Sequence, residues 1–192
     1  MKTYKITQMK TNYLVLIIAV LTFMPNLTLA QLNQKSLDYK GREILLGKID
    51  KNGLTNNSFA KWFKPNHEAY TVAEFETQNL KKKLKEYKIT VFMGTWCGDS
   101  KREVPRFYKI LEKLQFPTSQ LTVVGVDNHR ERYKKSPTGE EKGLNIIKVP
   151  TFIFYKNGKE VNRIVESPIV SLEKDIETIL NDKDYKHKYD TE

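Results

Sequence analysis

Apolar and polar positions alternate in a way that divides the chain into strand-like and helix-like segments. Short apolar runs over residues 44–49, 89–93 and 121–126 are typical of buried strands. A longer periodicity predicts a helix from Cys97 to about Leu114, kinked at Pro105. Helices that join successive strands favour a partly parallel sheet.

The last third of the chain carries clear turn and cap signals. Asn157-Gly158 lies between strand-like residues 151–155 and 160–165, which predicts a hairpin. Ser171 predicts the N-cap of a final helix that ends near Leu180. The hairpin adds antiparallel strands, so the sequence predicts an α/β fold with a mixed central sheet.

Other segments give weaker patterns. Residues 31–40 are polar and are expected to be loose, and residues 54–70 predict a packed loop with a helical turn. The capping-box spacing of Thr71 to Glu74 predicts a helix from Val72 to about Lys85. Residues 181–192 are predicted to form a charged, disordered tail.

The first 30 residues have the form of a secretory signal peptide. Three lysines precede the apolar run over residues 13–24: Lys2, Lys5 and Lys10. A small-residue site follows, so cleavage is predicted after Ala30, with export to a periplasmic or extracellular location. The run is shorter than the roughly 20 residues that cross a bilayer. An uncleaved membrane anchor is therefore the weaker alternative, and no stable span is expected after cleavage.

Composition narrows the functional classes. A chain of 192 residues with one cysteine excludes a disulfide framework and zinc fingers. The net charge of +10 comes from 33 basic residues mixed with 23 acidic ones, and no nucleic-acid motif accompanies them, so no nucleic-acid partner is predicted. His67, His129 and His187 are isolated, and no metal site is predicted.

Cys97 is the residue with the strongest chemical signal. It follows a buried strand and opens a helix, where unpaired N–H groups and the helix dipole stabilise a thiolate. Ser100 lies one turn along the same face and can donate its hydroxyl to the sulfur, while Trp96 can shield it. The alternative is that Cys97 is only a small buried apolar residue.

These motifs give a resemblance to a known family. The sequence from Trp96 to Lys101, W-C-G-D-S-K, resembles the W-C-G-P-C-K active site of thioredoxins, and Pro105 lies where they have a helix-kinking proline. Val149-Pro150-Thr151 resembles their cis-proline strand. The resemblance covers about residues 89–180 and implies a thioredoxin-like three-layer sandwich with helices on both faces of the sheet. We therefore expect a thioredoxin-like domain over residues 71–180, preceded by an N-terminal extension over residues 31–70.

The resemblance also implies roles for individual residues. Cys97 and Ser100 are expected to be catalytic, and a cis Pro150 is expected to face the sulfur. The residues expected to contact substrate are Trp96, Gly98, Asp99, Val149, Pro150 and Thr151. No cofactor is expected.

The departures from the family motif bear on the mechanism. Ser100 replaces the second cysteine, and Val91 stands where thioredoxins commonly bury an acid. The lysine that pairs with that acid would fall near Gly125. Asp99 replaces the proline of the motif and brings a negative charge that opposes the helix dipole. A serine hydroxyl cannot resolve a mixed disulfide at useful rates, so a dithiol cycle is not expected.

Three functions follow from this reading. The first is single-cysteine thiol–disulfide exchange of the mixed-disulfide, isomerase or monothiol reductase type. Its expected partners are protein disulfides or thiols and a small-molecule thiol as reductant. The second is a non-catalytic module that binds an extended peptide. The third is sharing of an iron–sulfur cluster, as in monothiol glutaredoxins, which Trp96 and the predicted export disfavour.

Overall fold

The computed structural model describes residues 31–73 and 77–190. The strands in this part of the chain are β1 (Gln34–Leu37), β2 (Glu43–Ile49), β3 (Tyr87–Met93), β4 (Leu121–Gly125), β5 (Thr151–Lys156) and β6 (Lys159–Val165). The helices are α1 (Lys51–Thr55), α2 (Asn57–Glu68), α3 (Thr77–Leu84), α4 (Gly98–Lys113) and α5 (Leu172–Leu180), with 3-10 turns at Thr118–Gln120 and Arg130–Arg132.

The strands form one mixed sheet in the order β1-β2-β4-β3-β5-β6. β3 and β4 are parallel, and the other neighbouring strands pair antiparallel. Met93 is opposite Gly125, and Phe92 is opposite Thr151. The ends of β3 and β4 and the start of β5 therefore meet at one edge of the sheet. The predicted α/β class with a mixed central sheet is confirmed.

Both faces of β3 are covered over residues 91–93, as the apolar run over residues 89–93 predicts. Val91 belongs to a large core cluster, in which Phe107 of α4 packs against Phe152 with ring centroids 4.5 Å apart. Phe92 points to the opposite face and belongs to a smaller cluster, against which Trp96 and Cys97 pack. The smaller cluster therefore forms the floor under the cysteine.

The N-terminal segment is more regular than its sequence predicts. Residues 54–70, expected to be a packed loop, contain the 12-residue helix α2. Phe59 and Phe63 lie four residues apart on one face of α2, and both are buried. Phe63 packs against Tyr108 of α4 at 5.6 Å. This tertiary contact stabilises a helix whose polar composition alone favours a loop.

Residues 31–40 were expected to be loose, but they include strand β1. β1 pairs antiparallel with β2, from Gln34 opposite Leu46 to Leu37 opposite Glu43. Asn33 fixes the start of the strand, because its side chain donates to Asp50 Oδ1 at 2.7 Å and accepts from Asp50 N at 3.0 Å. The short, polar strand depends on these long-range bonds, which leave little signal in the local pattern.

The helix predicted from Val72 does not begin there. Val72 and Ala73 are not helical, and the described helix α3 spans Thr77–Leu84. Ala73 N donates instead to the carboxylate of Glu173 at 3.2 Å, and Tyr70 donates its hydroxyl to the same carboxylate at 2.8 Å. Contact with α5 thus holds this segment outside the helix. Glu74 of the proposed capping box lies outside the described residues.

The predicted disorder of the C-terminal tail is wrong for the described residues 181–190. Tyr185 is buried, and its hydroxyl donates to Asp175 of α5 at 2.8 Å. Tyr185 O accepts from the Asn162 side chain at 2.9 Å, which ties the tail to β6. Charged residues flank the tyrosine, but one buried aromatic ring is enough to anchor the segment.

The predicted signal peptide, residues 1–30, lies outside the described residues, so it stays a prediction. Over residues 31–73 and 77–190, no helix combines the length and apolar character needed to cross a bilayer.

Candidate active site

Cys97 lies at the edge of the sheet where β3, β4 and β5 meet. It is the N-cap of α4, with φ −85° and ψ 131°, and its carbonyl accepts from Lys101 N at 3.0 Å. Its backbone N–H donates to Gly94 O at 2.9 Å, which closes the turn after β3. The side chain is partly exposed. The cysteine therefore opens the helix that follows β3, as the sequence predicts.

The loop before β5 lies directly against this sulfur. The Val149–Pro150 peptide bond is cis, as expected. Cys97 Sγ donates to Val149 O at 3.2 Å. Pro150 O accepts from Glu166 N at 2.7 Å, which fixes the loop to the end of β6. Thr151 is buried, and its hydroxyl donates to Lys148 O at 2.7 Å, so its side chain supports the loop.

Trp96 forms one wall of the site. Its indole N–H donates to Val126 O at 2.8 Å, and its ring packs against Tyr133 with centroids 5.7 Å apart. Tyr133 is half exposed, so the two rings offer an aromatic surface beside the cysteine. This packing fixes Trp96 against the same small cluster as Cys97, and its role as a shield of the sulfur stays a prediction.

Ser100 has a different role from the one expected. It is fully buried, and its Oγ accepts from Gly94 N at 3.2 Å. In the described part of the chain this is the only hydrogen bond of the hydroxyl, so it does not bond the sulfur. The serine instead stabilises the turn that carries Trp96 and Cys97.

Gly98 and Asp99 lie at the open side of the site. A β-carbon at Gly98 would meet no atom within 4 Å, so nothing crowds the approach to the sulfur there. Asp99 is half exposed, and its carboxylate pairs with Arg102 at 2.7 Å. Arg102 therefore offsets the negative charge that the sequence places beside Cys97.

Two lysines lie within electrostatic reach of the sulfur. Burial lowers the pKa of Lys134 and the charge of Lys148 lowers it further, whereas Cys97 raises it. Burial also lowers the pKa of Lys101, as does the charge of Arg42, whereas Cys97 raises it. Lys101 belongs to the W-C-G-D-S-K motif. Lys134 lies in a loop after β4, and no local sequence pattern predicts that this loop comes close to the site.

Two further residues, to which no sequence motif points, hold the site together. Thr95 is buried, and its hydroxyl accepts from Leu45 N at 3.1 Å, which attaches the active-site turn to β2. Asp127 is buried after β4 and accepts from Asn128 N, His129 N and the Arg132 side chain at 2.7 to 3.0 Å. Only the position of Asp127 at a strand end could have pointed to its role.

Asp127 has a strongly perturbed pKa. Burial raises it, but the hydrogen bonds from His129 and Arg132 outweigh burial and lower the pKa to about 2. The His129 ring nitrogen Nδ1 also lies 2.7 Å from the carboxylate. The ionised carboxylate thereby orders the loop that carries Tyr133 and Lys134.

No metal centre accompanies the cysteine in the described part of the chain. Over residues 31–73 and 77–190, no group of three or more histidine, cysteine and acidic side chains could hold a metal ion.

Comparison with known proteins identifies the domain. Residues 68–178 match the family model described as thioredoxin. A thioredoxin-like protein of Acanthamoeba polyphaga mimivirus is 32% identical over 109 residues, which cover 57% of this chain and 73% of that protein. Thioredoxin-2 of Saccharomyces cerevisiae is 34% identical over 74 residues, which cover 38% of this chain and 62% of the yeast protein.

Solved structures are similar to the chain at lower identity. Thioredoxin O2 from Arabidopsis thaliana in the oxidized state is 21% identical and covers 53% of this chain and 87% of that chain, with a TM-score of 0.35. The family match over residues 68–178 covers more than half of the chain.

Proposed function

Because the chain belongs to the thioredoxin family, we propose that it carries out thiol–disulfide exchange with Cys97 as its single nucleophile. The family as a whole supports exchange on protein disulfides. The observation that carries the single-cysteine proposal is the placement of Cys97 Sγ, partly exposed at the start of α4 and 3.2 Å from Val149 O.

The reaction is a pair of exchange steps at this sulfur. The Cys97 thiolate attacks a substrate disulfide, an Sγ–S bond forms, the substrate S–S bond breaks, and the leaving thiolate takes up a proton. The buried Ser100 hydroxyl cannot act as the second thiol. A thiol of the substrate, or a small-molecule thiol, then attacks the mixed disulfide and releases Cys97. The protein itself undergoes no net oxidation or reduction.

The surroundings of Cys97 support extended peptide substrates. Trp96 and Tyr133 offer an aromatic surface on one side, and the Val149–Pro150 loop lies on the other. Gly98 leaves the approach open. A peptide that runs along the loop would place its disulfide next to Sγ.

The proposal is tested by the rate of reaction with a peptide disulfide. We expect the folded protein to react faster than an unstructured peptide that contains residues 93–101, and Cys97→Ser to be inactive. Ser100→Ala, which keeps the sulfur, should retain activity. Equal rates for the protein and the peptide would contradict catalysis. Tight binding of the peptide without exchange would favour the non-catalytic module.

We also propose that the protein is exported, on the strength of the lysine-flanked apolar run and the small-residue site before Gln31. Expression of the full chain, followed by fractionation and N-terminal sequencing, tests this. We expect an exported product that begins at Gln31, and Leu16→Arg, which interrupts the apolar run, should block processing. A cytoplasmic product that begins at Met1 would contradict the proposal.

A further inference from the structure

A pocket beside the proposed active site is lined by Trp96 and by several basic side chains. It has a volume of about 190 Å³. Its lining includes Thr95 and Trp96 of the active-site turn, Lys61 of α2, Arg42 between β1 and β2, and Lys101 of α4. The pocket therefore shares a wall with the proposed active site.

Most of this pocket comes from the N-terminal segment. Arg42 and Lys61 precede the region that matches the thioredoxin family, which begins at residue 68. β2 is held to the active-site turn by the Leu45–Thr95 hydrogen bond. The pocket is thus built where the extension meets the family domain.

Asp38 holds Arg42 in place at the pocket. The Arg42 side chain donates from Nε to Asp38 Oδ2 at 2.8 Å, and Nη2 lies 2.7 Å from the same oxygen. The Lys40 and Arg42 backbone N–H groups donate to Asp38 Oδ1 at 2.8 Å. Burial raises the pKa of Asp38, but these hydrogen bonds outweigh it and lower the pKa to about 2. Both oxygens of the Asp38 carboxylate therefore already accept hydrogen bonds from Lys40 and Arg42 of the same turn.

The remaining charges leave the pocket positive. Glu43, the other acidic residue of the lining, lies 3.3 Å from Lys35. Lys61 and Lys101 have no acidic partner among residues 31–73 and 77–190. The lining thus carries three basic and two acidic side chains, and neither Lys61 nor Lys101 forms an ion pair within the described residues.

The surroundings of Lys101 disfavour its charged form. Burial lowers the pKa of Lys101 and the charges of Arg42 and Lys61 lower it further, whereas Cys97 and Asp38 partly offset this decrease. An anion in the pocket would relieve this repulsion. The arrangement therefore favours a negatively charged ligand.

We propose that this pocket binds a carboxylate side chain of the polypeptide whose disulfide reacts with Cys97. The inference rests on the proposed exchange function, because the disulfide and the carboxylate must belong to one substrate. Trp96 is next to Cys97 in the chain and lines the pocket, so an acidic residue close to the substrate cysteine can reach across the indole. The selected substrates are acidic peptide disulfides.

The test compares matched peptide disulfides with blocked termini. Each pair differs only in having Glu or Gln one or two residues from the cysteine, on either side. The second-order rate constant with Cys97 is measured for wild type, Lys61→Gln and Lys61→Arg. The control is Lys159→Gln, which removes an exposed charge at the turn between β5 and β6, at the far end of the sheet.

We expect wild type to prefer at least one Glu peptide over its Gln partner by about threefold to fivefold, since a partly exposed ion pair contributes little more. Added salt should reduce this ratio. Lys61→Gln should bring it close to one, and Lys61→Arg should restore it. Lys159→Gln should leave it unchanged.

Two results would overturn the inference. If the ratio of the rate constants for the Glu and Gln peptides is the same in wild type and Lys61→Gln, the pocket does not contribute to substrate selection. An equal loss in Lys61→Gln and Lys159→Gln would show an effect of net charge alone. In both cases the Gln peptides still react, so the exchange function stands. Failure of every peptide to react faster than the unstructured cysteine peptide would instead overturn both proposals.

Discussion

At the scale of single residues, position 100 bears most directly on the proposed single-cysteine mechanism. Ser100 is fully buried one turn beyond Cys97, and its hydroxyl accepts from Gly94 N. Val91, six residues before the cysteine, belongs to the apolar core, so no acid lies there to accept a proton from a second thiol. A site without a second thiol needs no acid to accept the proton of that thiol, so the two differences from the family motif are consistent.

Ser100→Cys should create a dithiol reductase. The new thiol would lie where α4 brings it next to Cys97, and it would resolve the mixed disulfide internally. We expect the rate to be modest at neutral pH and to rise with pH, because a buried thiol without a nearby base ionises reluctantly. Reduction of a peptide disulfide with an external reductant measures this.

The matched control is Ser100→Ala, which also removes the acceptor for Gly94 N but adds no thiol. If Ser100→Cys is no more active as a reductase than Ser100→Ala, the geometry of the turn does not allow an internal disulfide.

Asp127 makes the stability of the fold depend on pH. Its folded pKa of about 2 lies below the ordinary 3.8, so its ionisation stabilises the fold above pH 3.8 and this contribution is lost as the pH falls toward 2. Asp127→Asn should lower the free energy of unfolding by about 2 kcal/mol at neutral pH, through loss of charge-assisted hydrogen bonds.

Denaturant unfolding at a series of pH values measures the effect of Asp127→Asn. The difference from wild type should shrink as the pH falls from about 4 to about 2. A difference that is constant across this range would show that the charge of Asp127 does not order the loop.

At the scale of elements, the contact of β2 with β4 explains one departure from the family. A β-carbon at Gly125 would lie 2.3 Å from Leu45 O and 2.6 Å from Ile49 Cδ1. No side chain fits there while β2 is paired with β4. The lysine that the family alignment places near Gly125 is therefore incompatible with this packing.

Gly125→Ala should destabilise the protein by about 3 kcal/mol, because the backbone oxygen cannot move without separating the two strands. Thermal unfolding measures this. Gly98→Ala is the control, since its β-carbon would meet open space at the start of α4, and it should not destabilise. Equal stability of Gly125→Ala and wild type would show that β2 is not held firmly against β4.

The elements that could be predicted from the sequence are those whose pattern is local. β3 is one apolar run, the β5–β6 hairpin has an Asn-Gly turn, and Ser171 caps α5 by accepting from Lys174 N at 3.1 Å. The elements that could not be predicted depend on distant partners. α2 depends on Phe63 against Tyr108, and the segment at Val72 and Ala73 is held by Glu173.

At the scale of the whole molecule, segments on both sides of the family domain complete its surface. The N-terminal segment adds β1, β2 and α2, and it contributes Arg42 and Lys61 to the basic pocket. The tail anchors on α5 and β6 through Tyr185. Neither segment is part of the family motif. The family resemblance therefore predicted the domain but not the structure of these two segments.

Tyr185→Ala should lower the free energy of unfolding by about 3 kcal/mol, through loss of a buried ring. Tyr185→Phe keeps the ring and should cost about 1 kcal/mol, since only the hydrogen bond to Asp175 is lost. Tyr39→Ala, at a side chain that is 61% exposed, is the control and should change little. Equal effects at the two tyrosines would show that the tail is not anchored.

The candidate site shows the same division between local and distant information. The motif around Cys97 and the cis Val149–Pro150 bond could be predicted because the family resemblance carries both. The contact of Tyr133 with Trp96 and the proximity of Lys134 arise from the fold of the loop after Asp127. No local pattern in the sequence encodes those distances.

The most direct test of the central claim is the mass of the intact protein during reaction with a peptide disulfide. Reduced wild type should gain one peptide at Cys97 while one peptide thiol is released, and once that released thiol has been removed the adduct should persist until a small-molecule thiol is added. Cys97→Ser should gain nothing, and Ser100→Cys should lose its adduct unaided. A wild-type protein that forms no adduct, or that loses it without added thiol, would contradict single-cysteine exchange.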